Sequence, residues 1–282
     1  MKIVKKIKEL REITEIAGKK GLSIGLVPTM GFLHAGHLSL IERAKRENDL
    51  VVVSVFVNPI QFCPGEDFEK YPRDMDHDAK ECEKAGADVV FAPETEEMYP
   101  VQNLAYVDIS KLGDGLCGAR RPGHFRGVCT VVSKLFNIVS PDRAYFGEKD
   151  AQQLAVIKRM VIDLNFKTQI VACPIVRDQD GLAISSRNVY LSPEERTAAL
   201  VISKSLRRAR ESMLNGERDA AKIRKAIIDE ISSEPLARID YVEVVDAETL
   251  EPVSEIKGSV LTAAAVYIGA TRLIDNFTFK GE

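Results

Sequence analysis

Leu50-Val51-Val52-Val53-Ser54-Val55-Phe56-Val57 carries one hydroxyl and no charge, and most of its residues are β-branched. A strand with one wet face alternates apolar and polar residues, and this run does not. It fits a strand covered on both faces, the situation of parallel sheets flanked by helices. Upstream, Ile24-Gly25-Leu26-Val27 is a second short apolar strand. Between them, residues from about 37 to 46 carry apolar positions at helical spacing. Strand, helix and strand at this spacing predict a βαβ unit.

The alternation continues. Residues 67–85 read as a charged helix and 88–91 as a strand. Residues 124–139 read as a largely buried helix, with Val128, Val131, Val132, Leu135, Phe136 and Val139 apolar. Strands are predicted at 143–146 and 169–172, with a helix at 151–164 between them. This order predicts an α/β, Rossmann-like, doubly wound parallel sheet, in which ligands bind beyond the carboxyl ends of the strands. After about residue 176 the texture changes. Asp180-Gly181 signals a turn, and Ser192-Pro193-Glu194-Glu195 has the form of a capping box opening a helix. Helices at about 193–214 and 219–232 and strands at about 239–245 and 260–268 predict a smaller α+β domain. The expected division is 1–176 for the Rossmann-like domain and 177–282 for a C-terminal lid domain.

Composition removes several function classes. A net charge of −3 and a pI near 5.9 argue against a dominant nucleic-acid surface, while leaving room for a local basic pocket. No apolar run approaches the roughly 20 residues needed to span a membrane. The N-terminus is basic and lacks the apolar core of a signal peptide. Ile3, Ile7, Leu10 and Ile13 recur there at helical spacing and predict an amphipathic helix. Cys63, Cys82, Cys117, Cys129 and Cys173 are odd in number and scattered, which fits reduced thiols in a cytoplasmic protein.

Two of the four histidines lie three residues apart, His34 and His37, in Pro28-Thr29-Met30-Gly31-Phe32-Leu33-His34-Ala35-Gly36-His37. The segment joins a strand to a helix. Backbone N–H groups and the positive helix end at such a junction attract anions, so phosphate binding is expected. Solvated surface histidines are the plain alternative, and a metal pair lacks a nearby third ligand. Gly147-Glu148-Lys149-Asp150 stands between a strand and a helix. Lys149 there is either a phosphate partner or an ordinary charge at a helix start. Ile184-Ser185-Ser186-Arg187-Asn188, at the domain junction, offers hydroxyls and a guanidinium to a polyphosphate, or is a polar turn. Asn58 and Gln61 follow the most apolar strand, where a ligand would sit. Their amides can hold a carboxylate or hydroxyl but cannot act as bases. Arg120-Arg121-Pro122-Gly123-His124-Phe125-Arg126 is a basic loop suited to an anion or to solvent. No Ser/His/Asp or Cys/His pair is evident. Together these elements suggest nucleotidyl transfer by electrostatic stabilisation, with no covalent enzyme intermediate.

These segments also resemble a known family. Pro28-Thr29-Met30-Gly31 with His34-Ala35-Gly36-His37, Phe56-Val57-Asn58-Pro59-Ile60-Gln61-Phe62, and Tyr71-Pro72-Arg73-Asp74 are similar to its signatures. So are Arg121 to Val128, Phe146-Gly147-Glu148-Lys149-Asp150 with Gln152-Gln153, and Asp180 to Asn188. The family is that of the pantoate–β-alanine ligases (pantothenate synthetases), within the HIGH-motif nucleotidylyltransferases. The resemblance spans essentially the whole chain. It implies ATP-dependent condensation of pantoate with β-alanine through a pantoyl adenylate, giving pantothenate, AMP and pyrophosphate.

The resemblance also implies residue roles. Met30, Gly31, Phe32, Leu33, His34, Ala35, Gly36 and His37 would line the ATP site, with both imidazoles on the phosphates. Gly147, Glu148, Lys149 and Asp150 would bind the nucleotide, Asp150 at the ribose. Val176, Ile184, Ser185, Ser186 and Arg187 would complete the site. His37, His34, Lys149 and Arg187 are the implied catalytic set. Gln61 and Gln153 would hold pantoate, with Gln61 also near β-alanine. Mg²⁺ is expected to ride on the ATP phosphates, with no protein metal cage. A homodimer is implied. Phe32, Ile60 and Cys63 depart from the residues commonest at their positions. Two other readings compete: a nucleotidylyltransferase that stops at the nucleotidyl product, and a nucleotide-binding module without turnover.

Overall fold

The computed structural model describes residues 1–281, which fall into two compact units. The first comprises Met1–Gly113, Gly118–Glu148 and Gln153–Pro174. Its elements are β1 (Lys2–Val4), α1 (Ile7–Lys19), β2 (Ile24–Thr29), α2 (Ala35–Glu47), β3 (Leu50–Val55), α3 (Met75–Ala85), β4 (Val89–Phe91), α4 (Thr95–Met98), α5 (Leu116–Arg120), α6 (His124–Val139), β5 (Arg143–Gly147), α7 (Ala151–Asp163) and β6 (Gln169–Cys173), with two short pieces of this stretch grouped elsewhere. The strands form one sheet in the order β1-β4-β3-β2-β5-β6, with every neighbouring pair parallel. Val51, Val52 and Val53 are all fully buried, although successive side chains of a strand point to opposite faces. That is why β3 shows no polar alternation. One face packs on α2 and α3 through Leu40, Ile41, Ala44, Cys82 and Ala85.

The chain runs outward from β2 through β3 to β4 and then returns to place β5 on the other side of β2. The strand order therefore reverses between β2 and β5. The loops leaving the carboxyl ends of these two strands begin at Met30 and after Gly147. In open parallel sheets such a switch is where ligands bind.

Three predicted elements differ from the structure. Ile3 lies in β1, paired with Val90 of β4, and the amphipathic helix begins only at Ile7. Residues 67–74 are turns rather than the start of a helix. Pro72 disfavours helical backbone just before it. Asp74 caps α3, its Oδ1 accepting from the His77 N–H at 2.9 Å. The helix predicted at 193–214 is interrupted at Ala199, where the Ile202 N–H bonds to the Ala199 carbonyl at 3.2 Å in a tightened turn.

The second unit comprises Asp114–Cys117, Lys149–Gln152 and Ile175–Glu282, of which Glu282 lies outside the described residues. It contains α8 (Pro193–Ala198), α9 (Leu200–Leu214), α10 (Ala220–Ser232) and the strands β7 (Ala237–Asp246), β8 (Ser259–Ile268) and β9 (Thr271–Lys280). The strands form an antiparallel sheet in chain order, packed on α9 and α10 through Ile202, Leu206, Ile223, Ile227, Val242, Val244 and Val266. β9 is a third strand that the sequence pattern hides, because Asp275 and Asn276 interrupt its apolar run while being buried. Asp275 is matched by Arg177, whose Nη1 and Nη2 donate to its carboxylate at 2.7 and 2.8 Å. The two short early segments are bonded to each other. Gln152 accepts from the Cys117 N–H at 2.9 Å and donates to the Gly115 carbonyl at 2.8 Å.

Candidate functional site

β2 ends at Thr29, whose hydroxyl donates to the Ser54 carbonyl of β3 at 2.7 Å and accepts the Gly31 N–H at 3.2 Å. The chain then turns through left-handed backbone, with φ of 84° at Gly31 and 50° at Phe32. That conformation aims two consecutive N–H groups at one point, as in anion-binding nests. The anion there belongs to the protein. Asp78 Oδ2 accepts from the Phe32 N–H at 2.9 Å and Oδ1 from the Leu33 N–H at 2.7 Å. Asp78 projects from α3 and is 1% exposed. Burial pushes its carboxyl above the ordinary range, against the two N–H bonds that favour the charged form. The His77 ring lies 3.1 Å, from Nε2, from the Leu33 carbonyl; a carbonyl only accepts, so the ring nitrogen carries the proton.

His34 caps α2, its Nδ1 accepting the Gly36 N–H at 3.2 Å. This fixes the tautomer, with the proton on Nε2. The His37 ring stacks on it, centroids 4.0 Å apart and planes 26° from parallel. Gly36 is needed here, because a Cβ would stand 2.9 Å from His34 Cε1. The stacking sets the two imidazoles side by side at the start of α2.

The turn after β3 is internally braced. Asn58 is 1% exposed and donates both amide hydrogens inward, to Gln61 Oε1 at 3.0 Å and to the Gly127 carbonyl at 3.2 Å. Its carbonyl accepts from the Tyr99 hydroxyl at 2.8 Å. Burial raises the Tyr99 pKa, which keeps that hydroxyl a donor. Gln61 donates from Nε2 to Met30 Sδ at 3.0 Å. Its backbone carbonyl accepts from His124 Nδ1 at 2.8 Å, and His124 Nε2 accepts from Arg121 at 2.9 Å. His124 thus lies between the Gln61 carbonyl and the Arg121 guanidinium. Arg121 in turn grips Glu66 at 2.5 and 2.8 Å. Burial would raise the Glu66 pKa, but the Arg121 bonds and charge outweigh it and hold the carboxyl below its ordinary value. α6 approaches this turn so closely that a Cβ on Gly127 would lie 2.3 Å from the Ile60 carbonyl oxygen.

In the second unit, the carbonyl of Lys149 accepts from Asn276 Nδ2 at 2.8 Å, which ties its turn (Glu148–Asp150) to β9. Val176 and Ile184 meet through a backbone bond of 3.1 Å, beside the Arg177–Ala183 bridge. Ser185 then caps a short 3-10 turn, Ser186–Tyr190, its hydroxyl accepting the Arg187 N–H at 3.3 Å. The side chains of Lys149 and Arg187 are each half-buried.

The sequence profile of the pantoate-beta-alanine ligase family matches residues 2–278. This chain belongs to the pantoate–β-alanine ligase family. It is 63% identical to the pantothenate synthetase of Clostridium acetobutylicum over 280 residues, 99% of this chain and 100% of that one. It is 62% identical to that of Clostridioides difficile over 278 residues, 99% of each. The crystal structure of the Thermus thermophilus pantothenate synthetase superposes with a TM-score of 0.93 at 48% identity, over 98% of this chain and 99% of that one. A ligase from Francisella tularensis, crystallised in complex with β,γ-ATP and β-alanine, superposes with a TM-score of 0.80 at 36% identity, over 98% and 97%.

Against the pantoate–β-alanine ligase signatures, the structure groups His34 with His37, Met30 with Gln61 and Asn58, and Val176 with Ile184. Gln153 sits half-buried on α7. Both amide hydrogens of Asn58 are used inside the protein, on Gln61 and Gly127. The N–H groups of Phe32 and Leu33 are bonded to Asp78. The basic loop at Arg120 to Arg126 likewise has an internal anion, Glu66. Sequence reasoning missed Asp78, Tyr99 and the Glu66–Arg121–His124 series, whose partners lie 41 to 63 residues apart in the chain.

Because Glu66 has a depressed pKa in the folded state, its contribution to stability is present above the ordinary glutamate range. It is lost as pH falls through the folded value. Glu66→Gln should therefore be less stable than the wild type at pH 7, with the gap closing below about pH 4. Denaturant titrations of both proteins across that range check this.

Proposed function

We propose that this chain joins pantoate to β-alanine at the expense of ATP, releasing AMP and pyrophosphate. Family membership over nearly the whole chain carries the substrate assignment. The stacked imidazoles at the start of α2, beside amides already filled by Asp78, support the phosphate assignment. In the first step a pantoate carboxylate oxygen attacks the α-phosphorus. The bond to the bridging oxygen breaks and pyrophosphate leaves with that electron pair, giving pantoyl adenylate. In the second step the uncharged β-alanine amine attacks the acyl carbon. The carbon–oxygen bond to AMP breaks, and the amine loses a proton.

In this reading His34 Nε2–H and the His37 ring donate to phosphate oxygens as charge develops on them. Lys149 and Arg187 supply positive charge to the phosphates, and Asp150 meets the ribose. Gly147, Glu148, Val176, Ile184, Ser185 and Ser186 complete the nucleotide contacts. Gln61 and Gln153 orient pantoate, with Asn58 and Tyr99 holding Gln61 in place. The donors assigned to phosphate are imidazole, ammonium and guanidinium groups, which suit phosphate oxygens rather than a hard cation. Mg²⁺ fits as a companion of ATP, bound through phosphate oxygens and water, where it would offset negative charge. Among the described residues no group of three His, Cys, Asp or Glu side chains is arranged to hold a metal. No helix of the described residues is long and apolar enough to cross a membrane. Among the described residues all five cysteines are free, which accords with a cytoplasmic enzyme. A homodimer follows from the same family reading.

The proposal is tested by analysing products with ATP, pantoate and β-alanine, each omitted in turn. AMP should require all three, whereas AMP formed equally with unrelated acids or amines would overturn it. His37→Ala should slow pantoate-dependent pyrophosphate release by about 10²–10³, the scale of losing one such donor. Circular dichroism should show its fold unchanged.

A further inference from the structure

We propose that Asp78 is a positioning residue for nucleotidyl transfer: as an internal anion it sets the loop that aims His34 and His37. The inference rests on the reading that these histidines meet the ATP phosphates. It deepens that reading by naming what holds them there.

The observations converge on the residue before His34. Leu33 is gripped at both backbone ends from α3: its N–H donates to Asp78 at 2.7 Å and its carbonyl accepts from His77 at 3.1 Å. Phe32 keeps a φ of 50°, a conformation side-chain-bearing residues rarely adopt, and its N–H also donates to Asp78, at 2.9 Å. Gly31 has no side chain to displace the carboxylate, since a Cβ there would stand 2.8 Å from Asp78 Oδ2. The carboxylate uses both oxygens on two consecutive N–H groups. A neutral amide of the same size cannot do this, because one of its two ends is a donor.

Two consequences follow. The backbone entering α2 is set by α3, so the imidazoles in the first turn of α2 keep one direction. The nest formed by residues 31–33 is also closed to outside anions, so a phosphate group meets the imidazoles and not the loop amides. Asp78 thus fixes where the phosphates bind without touching them.

The test compares the two half-reactions in Asp78→Asn. The first is pantoate-dependent pyrophosphate release from ATP. The second is attack of β-alanine on added pantoyl adenylate, which no longer carries the pyrophosphate that the histidines would hold. Misplacement by about an ångström costs on the order of 10²-fold. Asp78→Asn should slow the first half-reaction by about that factor and leave the second within about threefold. Equal loss in both, in a protein that still folds, would assign Asp78 a merely structural role and overturn the proposal. Wild-type pyrophosphate release would overturn it too.

His77→Ala keeps the test decisive if Asp78→Asn does not fold, because His77 is exposed and its loss spares the core. It should lower the first half-reaction alone by about three- to tenfold, the scale of one hydrogen bond. An unchanged first half-reaction in that variant would overturn the proposal. His37→Ala separates the two levels of inference. If it releases pyrophosphate at the wild-type rate, the phosphate reading fails. If it is impaired while Asp78→Asn is not, only the positioning role fails.

Discussion

The buried carboxylate of Asp78, bonded to the N–H groups of Phe32 and Leu33, is the interaction on which the candidate site depends. A strand-to-helix turn with left-handed backbone is unstable by itself, because its N–H groups converge and need a partner. Supplying that partner from α3 stabilises the turn and fixes the start of α2. It also changes what the turn can do. Loop amides that would otherwise bind an outside anion are already satisfied. Next to them stand the stacked rings of His34 and His37, four ångströms apart at their centroids. The cost is a carboxylate held in a poorly solvating place, visible as a raised pKa.

The same device recurs after β3. Arg121 and His124 belong to a basic loop by sequence, yet the Arg121 guanidinium is directed at Glu66 and His124 bonds to the backbone of Gln61. Asn58 and Tyr99 brace the side chain of Gln61 from the other direction. Several polar groups of these segments are fastened by a second polar group. Such shells hold reacting groups within the narrow tolerance that catalysis requires. In the second unit Asn276 plays this part for the turn bearing Lys149, and Arg177 neutralises the Asp275 beside it.

The parallel sheet was legible in the sequence because covering both faces of β3 removes polar alternation, and no other environment does this so plainly. α6 was legible because most of its circumference is buried and so apolar. β1 was not, since three residues carry no periodicity. β9 was not, because the charge of Asp275 is cancelled by a residue 98 positions earlier. The site divides in the same way. The histidine pair and the two glutamines sit in short segments that resemble the family's. Asp78 looked like one more charge on a solvated helix, because its two partners lie 45 and 46 residues away and are backbone groups. Backbone partners leave no trace in side-chain pattern, so the clamp is visible only in three dimensions.

If the imidazoles meet the triphosphate, their nitrogens respond to it while the loop amides stay on Asp78. Nitrogen-15 NMR of the labelled protein, titrated with a non-hydrolysable ATP analogue, reads both sets of groups at once. The side-chain nitrogens of His34 and His37 should shift on saturation, with the Phe32 and Leu33 amide resonances keeping their hydrogen-bonded positions. Large shifts of those two amides with unmoved imidazoles would show instead that the phosphate displaces the carboxylate from the loop.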